Sequence, residues 1–92
     1  MTPSDHHDRL MLAFIRSHKY GVMRWRLYKR FEHIKNTKTW LDKNLKRLEK
    51  ERYIKARIEH GMKGPRATVY YITPMGENRF RDLNRRAHGV RL

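Results

Sequence analysis

The residues with most chemistry to offer lie between Thr37 and Lys50, in TKTWLDKNLKRLEK. Leu41, Leu45 and Leu48 recur at i, i+4 and i+7, so on a helix they form one apolar stripe. The opposite side then carries Thr39, Lys43, Lys46 and Lys50, flanked by Trp40, Asn44 and Arg47. These side chains bring hydrogen-bond donors and positive charge rather than nucleophiles or proton-transfer groups. Lys43, Lys46 and Arg47 suit phosphate oxygens or guanine acceptors, and Asn44 suits the paired donor and acceptor of an adenine edge. Thr37 as N-cap, Lys38, Thr39 and the amides of the first turn suit a phosphate. Asp42 is the discordant group. It is expected to cap through a box with Thr39, to pair with Lys38 or Lys46, or to accept from cytosine.

A second cationic cluster follows. His60, Lys63 and Arg66 fall in the turn-rich HGMKGPR, with Lys55 and Arg57 on the alternating stretch before it. A narrow strip of backbone carrying arginine can follow a phosphate ridge or enter a minor groove, and Arg66, after Gly64-Pro65, is the first candidate. Other chemistries find little support. Six histidines are scattered without ligand spacing, so no metal site is expected. With no cysteine, serine only at Ser4 and Ser17, and no phosphate-cradling glycine loop, no enzyme activity and no cofactor are expected. Nothing points to a small-molecule effector.

Five elements would position these groups. Leu10 pairs with Phe14 and Met11 with Ile15 at i, i+4, which predicts a helix over 5–19, capped by Asp5 or Ser4 and stopped at Tyr20-Gly21. Met23, Leu27, Phe31 and Ile34 share one face of a second helix over 22–34, with Arg24, Arg26, Lys29 and Arg30 around the rest of it. Lys35-Asn36-Thr37 makes a tight turn into a third helix over 38–51. Beyond Tyr53 the period changes to two. Ile54, Ala56 and Ile58 alternate with Lys55, Arg57 and Glu59, and ATVYYIT returns as the second strand of a hairpin over 54–72. Thr73-Pro74 caps a last helix over 74–86. The second and third helices, joined by a short turn, form a helix-turn-helix.

Composition agrees. The 92 residues carry 23 lysines and arginines against 9 acids, a net charge of +14. Residues 21–66 hold 15 of the bases and 5 of the acids, so the excess is central. That density implies a polyanionic partner. The length suits one small domain over 1–92 that pairing with a second copy would stabilise. Lack of cysteine fits a reducing cytosol. No apolar run approaches the roughly 20 residues that span a bilayer, and the N-terminus lacks the order of a secretory signal. No membrane association is expected, and the location is read as cytoplasmic, on the nucleoid.

TWLDKNLKRLEKERYI followed by GPRATVYYITPMGENRF resembles the winged-helix transcription regulators of the PadR and MarR type over about residues 21–83. In size and charge the chain is also similar to compact winged-helix proteins of archaeal viruses and plasmids. The resemblance implies an α+β, mostly helical winged helix-turn-helix with three helices, a β-hairpin wing and a C-terminal helix. It implies a homodimer that binds a roughly palindromic double-stranded DNA site and usually represses transcription. By position, Thr37 caps the recognition helix, Lys38, Thr39, Lys43 and Asn44 face the groove, and Lys63 to Arg66 form the wing tip. Arg52 departs from the pattern, standing where these proteins usually place a glycine. The long dimerisation helices of larger relatives are lacking. The apolar run from Leu10 to Ile15, which exceeds one helical stripe, and the terminal helix place the expected dimer interface at Leu10, Met11, Phe14, Phe80 and Leu83.

Two other readings stand beside this one. Trp25, Tyr28, Trp40, Tyr70 and Tyr71 could stack on the bases of RNA or a single strand, unless they serve packing instead. A winged helix can also act as a protein–protein interaction module, here with an acidic partner.

Overall fold

A computed structural model describes residues 2–60 and 66–87. In chain order it holds α1 (Pro3–Arg16), β1 (Val22–Met23), α2 (Arg24–Arg30), α3 (Thr37–Lys50), β2 (Ile54–His60), β3 (Arg66–Ile72) and α4 (Pro74–Ala87). This is the α+β, mostly helical architecture of a winged helix.

α1 begins earlier than the apolar periodicity indicates. Thr2 is its N-cap, accepting from the Asp5 amide at 3.1 Å, while the Asp5 carboxylate accepts from the Thr2 amide. The expected caps, Asp5 and Ser4, therefore lie inside the helix. Asp5 also accepts from Arg79 at 2.9 Å, and Glu77 from Arg16 at 2.7 Å, so two ion pairs tie α1 to α4. Met11, Leu12 and Ile15 of α1 and Leu83 of α4 are fully buried in the common core. Met11 and Leu83 are thus unavailable to a second copy. The Leu10–Ile15 run exceeds one stripe because α1 packs on both α4 and β3.

The second helix is shorter than expected. Val22 and Met23 form a strand opposite Tyr70 and Val69 of β3. Gly21, at φ +94°, makes that approach possible. A Cβ there would collide with Val69 and come within 2.7 Å of the Tyr71 ring. Met23 consequently leaves the buried stripe and is 40% exposed, while Leu27 and Phe31 keep their inward places. α2 retains only seven residues.

The sheet is antiparallel in the order β1-β3-β2. Ile54 pairs with Ile72, Ala56 with Tyr70 and Ile58 with Thr68, which puts Ile54, Ala56, Tyr70 and Ile72 on the core side. α3 ends in a Schellman motif. The Tyr53 amide reaches the Leu48 carbonyl at 2.9 Å, and the Arg52 amide reaches Glu49 at 3.0 Å. Arg52 is the left-handed residue of that motif, at φ +66°, in the place where glycine is usual. Thr73 joins this end to α4. Its hydroxyl accepts from the Gly76 amide at 3.0 Å and donates to the Arg52 carbonyl at 2.6 Å.

Candidate nucleic-acid interface

α3 is divided as its periodicity requires. Leu41, Leu45 and Leu48 are buried, and Lys38, Thr39, Lys43, Lys46 and Lys50 are exposed on the other side. Thr39, Lys43, Lys46 and Lys50 fall four, three and four apart, so they form one continuous strip along the helix, with Lys38 exposed on the turn beside its start. Lys43, Lys46 and Lys50 make no ion pair among the described residues. Glu49 shares the exposed side. Asp42 is half-exposed there and is met by Arg24 of α2, the partner that neither Lys38 nor Lys46 supplies. That ion pair crosses from α2 to α3. It cancels the one carboxylate in the middle of the strip and occupies Arg24. The expected capping box of Thr39 with Asp42 is absent.

Four residues assigned to the interface face inward. Thr37 is buried as the first residue of α3, and Asn36, left-handed at φ 57°, holds the N-cap position. The Thr37 hydroxyl donates toward the carbonyls of Phe31, Glu32 and Ile34, closing the turn between the two helices. That hydroxyl is thereby spent on the turn and is not offered to phosphate. Asn44 is 9% exposed. Its amide donates to the Trp40 carbonyl at 2.8 Å and its oxygen accepts from Arg47 at 3.0 Å, so it does not present an adenine-reading edge. Arg47 turns to Asp8 of α1, which takes both of its terminal nitrogens. This hydrogen bonding raises the Arg47 pKa further. Trp40 packs on Phe31 and, edge to face, on His7. All four flank the leucine stripe, and the core claims residues at that angle.

On the wing, Lys55 and Arg57 are exposed on the face opposite Ile54 and Tyr70. They stand over the Tyr71 ring at 6.0 and 5.6 Å. Tyr71 donates to Glu59 at 2.5 Å, and that bond holds its phenol above the ordinary tyrosine range. Burial does the same to Tyr70, which faces Arg24. Tyr70, Tyr71 and Trp40 are therefore engaged within the fold. Lys63, with the side chains of His60 and Arg66, lies outside the described residues.

Further cations are exposed on the neighbouring helix and the turn after it. Arg26, Lys29 and Arg30 are exposed on α2 and Lys35 on the turn that follows. Lys29 is loosely paired with Glu32 at 3.7 Å. The signal was four cations in the seven residues RWRLYKR. The apolar stripe of the same segment masks it, because packing alone accounts for that helix.

No protein-family model matches the sequence, and comparison with curated proteins finds no match either. Solved structures do match. One is a transcriptional regulator from Streptococcus, with a TM-score of 0.77 and 18% identity, over 96% of this chain and 89% of that one. Another is a PadR-like transcriptional regulator from Bacillus cereus, with a TM-score of 0.68 and 19% identity, over 86% of this chain and 78% of that one. At such identities the likeness establishes a shared winged-helix fold.

Proposed function

We propose that the chain is a transcription regulator that binds double-stranded DNA, with α3 in the major groove and the β2–β3 hairpin beside it. The observation that carries this reading is the division of α3. Its leucines are spent on the core, and Lys38, Thr39, Lys43, Lys46 and Lys50 form a bare strip on a helix narrow enough for that groove. Arg26, Arg30 and Lys35 extend the positive surface toward the flanking phosphates. Lys55, Arg57 and the wing tip, with His60, Lys63 and Arg66, would meet the backbone on the other side. Both structural neighbours are described as transcriptional regulators, which agrees.

Titration of duplex DNA, single-stranded DNA and structured RNA over a salt series tests it. Duplex should bind best, with affinity falling steeply as salt rises. Lys43→Ala or Lys46→Ala should flatten the slope by about one unit each if each meets one phosphate. Tighter binding to single strands or RNA, or unchanged slopes in both variants, would overturn the assignment. Binding only to an acidic protein would favour the interaction-module reading.

We further infer a homodimer on a roughly palindromic site that represses by occupying it, in the cytoplasm on the nucleoid. Leu10, Phe14 and Phe80 are only partly buried and Met75 is 52% exposed, so α1 and α4 keep apolar surface for a second copy. Among the described residues no helix is long and apolar enough to cross a membrane. Sedimentation at micromolar concentration should show the pair, and monomer alone, with and without duplex, would exclude it.

A further inference from the structure

Between β1, α2, the first turn of α3 and β3 lies an open cleft of about 470 Å³. Met23, Trp25 and Tyr28 give it an apolar and aromatic wall, Thr68 a hydroxyl, and Arg24 and Lys38 two cations. Among the described residues no carboxylate lines it. Trp25 is 57% exposed, an unusual position for so large an apolar side chain on a helix otherwise rich in cations. Its ring is nonetheless held in place. The indole N–H donates to the Met23 sulfur at 3.2 Å, and the Arg26 guanidinium stands 5.4 Å from the ring centre. Trp25 also lines a second hollow, together with Phe14 and Arg26.

We propose that this cleft takes one unpaired nucleotide of the DNA held on α3, its base against Trp25 and its phosphate on Lys38. The proposal rests on the duplex-binding reading above. A planar aromatic wall beside cations, with no carboxylate in the lining, complements a flat π-system that carries negative charge. A nucleotide is such a group, and the volume falls within the range of small-ligand sites. Bases stacked inside an intact duplex cannot reach a cleft of this kind, whereas an unstacked one can. The cleft borders the proposed interface, because Lys38 belongs to its wall and stands exposed beside the start of the α3 strip. That adjacency selects a nucleotide of the bound strand over a free one. Arg24 is already paired with Asp42, which leaves the Trp25 and Tyr28 rings and one lysine. These are too few contacts to offset the association cost of a free nucleotide, but a strand already anchored on α3 meets that cost once.

The test compares four ligands of the full chain: a paired duplex, the same duplex with one bulged nucleotide, the same with an abasic bulge, and a free mononucleotide. The bulged duplex should bind about tenfold tighter than the paired one, the gain expected from stacking one base on one ring. The abasic bulge should show no gain. Trp25→Ala should abolish the gain while leaving paired-duplex affinity unchanged, and Trp25→Phe should keep most of it. Equal affinity for bulged and paired DNA, or an equal gain from the abasic bulge, would overturn the proposal. So would a mononucleotide that quenches Trp25 at the concentrations at which the bulged duplex binds. Absence of paired-duplex binding would instead overturn the reading on which the proposal rests.

Discussion

The Arg47 guanidinium faces into the protein, where the Asp8 side chain is 2% exposed and has no other partner among the described residues. A carboxylate so enclosed is tolerated only while its counter-charge stays in place. Arg47→Ala should therefore destabilise the fold by about 3 kcal/mol, the usual consequence of orphaning one member of a buried pair. At full folding it should leave the salt slope of DNA binding unaltered. Urea unfolding measures the first effect, and a loss below about 1 kcal/mol would contradict the role given to the pair. Arg52 poses the opposite case. Its left-handed backbone costs on the order of 1 kcal/mol that glycine would not incur, and its carbonyl, not its side chain, receives Thr73. Arg52→Gly should raise stability by a few tenths to about 1 kcal/mol, the larger backbone freedom of unfolded glycine offsetting part of the gain. An unchanged or lower midpoint would show that the arginine side chain has work of its own.

At the scale of elements, α4 is held against the end of α3 by the run from Thr73 to Gly76. A Cβ on Gly76 would fall inside the Tyr53 carbonyl oxygen and within 2.8 Å of an Ile72 methylene. The first of these is backbone, so nothing short of moving α4 relieves the clash. Gly76→Ala should destabilise by about 2 kcal/mol or more, well beyond a surface glycine-to-alanine change, which usually gains stability in a helix. Calorimetry would show it, and a stabilised variant would refute the packing. The threonine-x-x-glycine spacing was legible in the sequence because its cause is local: a cap, then a close approach one turn later. The leucine stripe of α3 and the alternation in β2 were legible for the same reason. β1 was not. Val22 and Met23 continue a helical apolar period, and only pairing with Tyr70 and Val69, far along the chain, makes them a strand. The inward turn of Asn44 and Arg47 escaped for a related reason. Both sit on the margin of the apolar stripe, where residue type favours solvent. The partner of Arg47, Asp8, becomes visible only once α1 and α3 are packed together, while Asn44 bonds back to the Trp40 carbonyl one turn earlier in its own helix.

Across the whole molecule, a net charge of +14 on 92 residues acts on folding and binding with opposite sign. In the free protein like charges repel, and the four exposed lysines of α3, Lys38, Lys43, Lys46 and Lys50, have no anion beside them on that helix except Glu49 and the already neutralised Asp42. Raising salt from about 0.01 M to about 0.2 M shortens the screening length from roughly 30 Å to under 10 Å. The melting temperature of the free protein should therefore rise over that range, since self-repulsion is the term most reduced. A bound duplex reverses the trend. At low salt it stabilises by mass action, about 2.7 kcal/mol once its free concentration is a hundred times Kd, and added salt removes that gain by weakening the phosphate contacts. Melting curves with and without duplex should thus approach one another as salt increases, one climbing while the other falls. Parallel curves would mean that the cations of α3, α2 and the wing do not meet phosphate. A free protein that loses stability with salt would mean that its ion pairs, rather than its excess charge, dominate the electrostatics of the fold.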